Sequence, residues 1–128
     1  MTVFALAVGG FIGTLLRYGL GESMPTLTNG FPVGVLAVNL VGCLVVGWFF
    51  TAAEVRWTLR PEVRLGFGVG TIGAFTTFSA FSVQTVELIQ DGRLAIAALY
   101  VLLSALGGLL LAYAGVCLAK VKKKEVTR

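Results

Sequence analysis

The sequence has no histidine, two cysteines, three prolines and only 12% charged residues in 128. Each scarcity removes a class of protein. Soluble domains carry about 25% charged residues, so a chain this poor in charge and 57% hydrophobic reads as an integral membrane protein. Without histidine, the side chain most used for proton transfer near neutral pH is gone. Cys43 and Cys117 both stand inside apolar runs and read as small packing residues, with nothing to suggest a metal or redox pair. No catalytic pair, metal cluster or phosphate loop is present, so an enzyme is not expected.

Apolar length is what the chain has in quantity. A spanning helix needs about 20 mainly apolar residues, so 128 residues allow four spans and no separate soluble domain. The predicted spans are 2–21, 33–53, 65–90 and 94–119, followed by a basic tail over 120–128, all in one domain. ESMPTLTNGFP, EVRWTLRPEVR and DGR form the connections. Runs of this length exceed the strands of a membrane barrel, which makes the fold class all-α. MTVFALAVGG lacks a basic leader region and reads as the start of the first span, not as a cleavable signal. Gly9 and Gly13, Gly66 and Gly70, and Ser104 and Gly108 recur at four-residue spacing, which lets helix backbones approach closely.

Four spans return the chain to the side where it began. That side holds eight basic residues: Arg56, Arg60, Arg64, Lys120, Lys122, Lys123, Lys124 and Arg128. The other end has two, Arg17 and Arg93. The positive-inside rule places both termini in the cytoplasm, where the tail suits anionic lipid headgroups. The basic residues lack an aromatic recognition surface, so no nucleic-acid partner is expected.

Inside the third span, residues 70–82 read GTIGAFTTFSAFS, with five hydroxyls, two glycines and three phenylalanines. Glycine permits non-helical backbone, and such backbone survives at membrane depth only where protein buries it or water reaches it. A helix break is predicted near 73–77. The hydroxyls either bond back to their own helix or serve an ion. Asn39, within VLAVNLVGCLV, is either an interhelical packing bond or a donor in an ion path. Phe75, Phe78 and Phe81 form a packing stripe or offer their positive ring edges to an anion. Tyr100 and Ser104 share a helix face and either extend a polar line or bond neighbouring helices. Glu87 lies one turn from the end of the third span, and Glu22, Glu54, Glu62, Asp91 and Glu125 sit in or beside loops. A proton-coupled carrier needs an ionisable group at mid-membrane. Hydroxyls and one amide are weak donors, suited to a partly dehydrated anion.

The segments GGFIGTLLRYG, VGVLAVNLVG and GAFTTFSAFS, with Tyr100 and Ser104 in the fourth span, resemble the Fluc (CrcB) family of fluoride channels over nearly the whole chain. The resemblance implies an antiparallel dimer of four-helix subunits in the cell membrane, with two fluoride pores and the third helix of each subunit broken. By that resemblance Phe78 and Phe81 are pore phenylalanines and Asn39 is the amide donor beside them. Tyr100 and Ser104 line the fourth-span side, and Thr77 and Ser79 add hydroxyls. The carbonyls of Gly73 and Thr76 match positions that hold a sodium ion between subunits. Arg17 matches the first-span arginine and is read as a structural residue.

Departures from the pattern are Gln84 where a glutamate is usual, Val35 where a threonine is usual, and Ala74 and Ala80 for a commoner glycine and threonine. The charge bias is another. It fits either a homodimer or a chain of fixed orientation paired with an oppositely facing relative. Two other functions compete. A small dual-topology multidrug exporter requires a carboxylate buried in the first span, and VFALAVGGFIGTLLRYGLG has none. A non-conducting membrane assembly protein predicts no ion flux at all.

Overall fold

The computed structural model describes residues 1–24 and 27–121. Among them the order is α1 (Thr2–Ser23), α2 (Val33–Val55), α3 (Pro61–Arg64), a π-helical segment (Leu65–Ile72), α4 (Gly73–Phe75), α5 (Phe78–Gln90) and α6 (Leu94–Val121), with no strand. Lys122, Lys123, Lys124 and Arg128 of the expected tail lie outside the described residues. Four helices are long and apolar enough to cross a membrane: Thr2–Ser23, Val33–Val55, Pro61–Gln90 and Leu94–Val121. The chain is an all-α, multi-pass membrane protein.

The third span starts earlier than the apolar run suggests. PEVR, read as part of a charged loop, is helical from Pro61, with Arg60 extended before it (φ −62°, ψ 143°). Proline is preorganised for the first helical position, where its missing N–H costs nothing. The DGR connection closes tightly because Gly92 takes a left-handed conformation (φ 74°) and Arg93 N–H bonds the Leu88 carbonyl at 2.8 Å. The Arg93 guanidinium also donates to the Asn29 carbonyl at 2.8 Å, tying the two loops at that end.

Odd spans pack on one another in parallel, and so do even spans. Gly9 meets Gly66, Gly13 meets Thr71 and Phe75, and Gly70 meets Leu6 and Gly10, so α1 and the third span run in register. Gly107 meets Leu40, Gly47 meets Ala112, and Gly115 meets Leu44 and Trp48, so α2 and α6 do likewise. Lipid offers no hydrophobic drive for helix association, and close backbone packing takes its place. The predicted pairs Gly9–Gly13 and Gly66–Gly70 turn out to face each other.

A methyl at Gly47 would collide with the Ala112 carbonyl, whereas one at Gly19 meets nothing within 4 Å. Gly47→Val is therefore expected to cost about 1–3 kcal/mol or more, seen as a lowered melting midpoint and aggregation in detergent. Gly19→Ala should be neutral or stabilising by up to about 1 kcal/mol, the helix-propensity difference.

Candidate functional site

Thr76 and Thr77 are extended, with φ −78°, ψ 157° and φ −145°, ψ 123°, and they interrupt the third span between α4 and α5. Threonine's branched Cβ suits that backbone. Within lipid each backbone group deprived of a partner costs several kcal/mol, so something must replace the lost helical bonds. Asn39 of α2 does so. Its Nδ2 donates to the Thr77 carbonyl at 2.9 Å, and its Oδ1 accepts from the Thr77 N–H at 2.8 Å. The amide orientation follows from the pairing, since the flipped amide would set donor against donor. The packing alternative for Asn39 is thus realised as a two-bond clamp on the break, and one N–H of its amide is left over.

Thr77 is also the N-cap of α5, its Oγ1 accepting from Ala80 N–H at 3.2 Å, a bond worth about 1 kcal/mol. The Ser79 hydroxyl lies 3.3 Å from Thr77 Oγ1. The remaining hydroxyls of the patch bond back to their own helix: Thr71 to the Gly66 carbonyl, Thr76 to that of Ile72 and Ser82 to that of Phe78. Since the N–H groups of Thr77 and Ala80 are taken by side chains, the carbonyls of Gly73 and Thr76 do not receive the amides a continuous helix would give them. The break also places the positive end of the α5 dipole inside the membrane span.

The phenylalanines do not form one stripe. Phe75 precedes the break and lies beside Gly42 of α2, while Phe78 and Phe81 belong to α5. The extended pair resets the helical phase between them. Phe78 is 80% exposed and its ring lies 5.7 Å from Phe81. Phe81 in turn lies 5.1 Å from Tyr100, which meets Phe31 edge-on at 5.7 Å. Tyr100 is fully buried, and its hydroxyl bonds Gln84 Oε1 at 3.0 Å. Gln84 thus meets the tyrosine with its amide oxygen.

A groove of about 590 Å³ runs along the break, lined by Asn39, Cys43, Gly73, Thr76, Thr77, Phe78, Phe81 and Ser104 among others. Ser104 Oγ is buried there without a hydrogen-bond partner. Behind the break, Arg17, Tyr18, Glu22, Thr77 and Ser79 line a second hollow of about 260 Å³. Thr77 borders both. Seven of the expected residues (Asn39, Gly73, Thr76, Thr77, Phe78, Phe81 and Ser104) therefore share one groove. Arg17 and Ser79 line the hollow behind it, and Tyr100 supports Phe81 from within the helix core. Cys43, expected as a packing residue, meets Gly108 of α6 and also lines this groove, on the same face of α2 as Asn39.

The family model described as "CrcB-like protein, Camphor Resistance (CrcB)" matches residues 4–116. A protein of Oceanobacillus iheyensis named "Fluoride-specific ion channel FluC" is 47% identical, over 96% of this chain and 95% of its own. "Fluoride-specific ion channel FluC 2" of Geobacillus kaustophilus is 39% identical over 98% of both chains. "Fluoride-specific ion channel FluC 1" of Moorella thermoacetica is 43% identical, over 94% of this chain and 86% of its own. Agreement at this level along nearly the whole length places the chain in the CrcB family.

Proposed function

We propose that the chain is a fluoride-selective channel of the cell membrane, passing fluoride out of the cytoplasm passively through two pores of an antiparallel dimer. It is a channel and not an enzyme. The names and closeness of the relatives carry this reading, and the chemistry of the break agrees with it. Stripping water from a small anion costs tens of kcal/mol in a dry medium. One hydrogen bond to a charged group returns only about 1.5–3 kcal/mol. A path through the membrane must therefore offer several donors in succession, with wet hollows at both ends.

Arg17 would draw the anion toward the hollow behind the break. Thr77, Ser79 and the free N–H of Asn39 would take over from water, helped by the positive end of α5. The ring edges of Phe78 and Phe81, one from each subunit at a given pore, would pass it on, and Ser104 would receive it. Tyr100 would hold Phe81 in place. Among the described residues Glu22, in the last turn of α1, lines the hollow beside Arg17, and no carboxylate lines the groove itself.

The carbonyls of Gly73 and Thr76 suit a sodium ion held between subunits, being hard oxygen donors left without their helical amides on an open wall of the groove. Bound there, sodium would add a fixed positive charge near both anion paths. Replacing sodium by N-methylglucamine is expected to lower the melting midpoint of the purified protein, because a ligand of the folded state stabilises it by mass action. A midpoint that does not respond to sodium removes this part of the proposal. A homodimer is preferred over a pair with an oppositely facing relative, because the groove residues are intact in this chain.

Expression in a fluoride-sensitive bacterium stripped of its own exporter tests the function. Growth in fluoride should be restored, and unrelieved sensitivity with the protein present in the membrane counts against the proposal.

A further inference from the structure

Both tryptophans of the chain, Trp48 and Trp57, stand near the end of α2, with ring centroids 5.5 Å apart and edge to face. Phe49 lies 6.4 Å from Trp57 and 4.6 Å from Phe67. Basic side chains surround this aromatic layer. Arg56 donates to the Leu118 and Ala119 carbonyls in the last turn of α6, while its Nε is buried without a partner. Arg64 lies over the Phe50 ring at 5.7 Å. Arg60 and Lys120, at the same end, are exposed. Against these four cations the end holds two carboxylates among the described residues, Glu54 and Glu62. The opposite end carries Arg17 and Arg93 against Glu22, Glu87 and Asp91, so the two ends differ in sign.

We infer that the Arg56–Arg64 end is a docking surface for anionic phospholipid headgroups. Tryptophan rings settle at headgroup depth, and a layer of arginine just outside them meets phosphate with paired, charge-assisted hydrogen bonds. A zwitterionic headgroup brings its own cation to that phosphate, and an anionic one does not. Each basic residue near such a surface is worth about 1 kcal/mol, or roughly fivefold in local lipid enrichment before salt screening. In an antiparallel dimer this end would meet headgroups at both faces, one subunit at each, whether or not any ion is conducted.

With both tryptophans at this end, intrinsic fluorescence reads it without a label. The full chain, with glutamine at Lys122, Lys123 and Lys124 to keep the tail out of the comparison, is placed in phosphatidylcholine vesicles. These hold a minor fraction of brominated phosphatidylglycerol or of brominated phosphatidylcholine. The phosphatidylglycerol should quench about twofold more strongly, a conservative fraction of the enrichment expected per residue. Adding R60Q, R64Q and K120Q should erase that difference while helix content and elution volume stay unchanged. Equal quenching by the two lipids before those changes overturns the inference, and so does a preference that survives them. No ion flux enters this readout, so it stands or falls apart from the fluoride proposal.

Discussion

Alanine at Asn39 is expected to abolish fluoride efflux and to lower the stability of the subunit by about 2–6 kcal/mol. The second figure follows from two orphaned groups, the Thr77 N–H and carbonyl, each costing about 1–3 kcal/mol when buried and unpaired. Both are bound by the same amide, at 2.8 and 2.9 Å, and Thr77 is 9% exposed, so water has little access to replace it. Aspartate at this position separates the two bonds. It can still accept from the Thr77 N–H, but it sets a second oxygen against the Thr77 carbonyl and adds a buried negative charge. It should therefore fail as badly as alanine, and it should also repel the anion. Melting midpoints and liposome efflux of the two variants check this together. An alanine variant that melts and conducts like the unaltered protein would show that the break is held by something else.

Isoleucine at Phe81 is expected to stop fluoride passage, lowering efflux by two or more orders of magnitude, while the fold survives. Phe81 lies between Phe78 at 5.7 Å and Tyr100 at 5.1 Å, so its ring is both a path element and a packing partner. Isoleucine keeps an apolar side chain but is three carbons smaller, a loss expected to cost about 1–3 kcal/mol where the ring is packed. It has no positive ring edge to offer an anion. Phe78→Ile should act in the same direction with an even smaller effect on stability, because that ring is 80% exposed in the single subunit. Unchanged efflux in both variants, with the protein folded and inserted, would reduce the rings to packing.

The spans were legible because lipid imposes a simple rule of length and apolarity. The break was legible too, as Gly73 and the paired threonines are poor continuations of a helix that must satisfy itself. Facing glycines could be read as small-residue pairs, Gly9 and Gly13 finding Gly66 and Gly70. What could not be read was partnership at a distance. Nothing in VLAVNLVGCLV says that Asn39 closes on Thr77, 38 residues away. The spacing of Phe75, Phe78 and Phe81 suggested a shared face only because period counting assumes an unbroken helix. Two extended residues cancel that assumption. Nor did the sequence reveal that residues 65–72 wind as a π-helix, a form whose wider turn is set by the neighbours it must fit and has no residue signature of its own. Gln84 stood out as a departure, but its bond to Tyr100 depends on how α5 meets α6.

The competing functions make different demands on the same residues. An exporter coupled to protons would need an acidic group buried in α1, where Glu22 lies in the last turn and no other carboxylate is present. An assembly protein without conduction would tolerate isoleucine at Phe81 and would leave ion gradients untouched.

The most direct test is release of fluoride and of chloride from loaded liposomes holding the purified chain, followed with ion-selective electrodes. The account expects fluoride to escape while chloride stays inside. Fluoride that stays trapped, both with this chain alone and with an oppositely oriented relative reconstituted beside it, would contradict it.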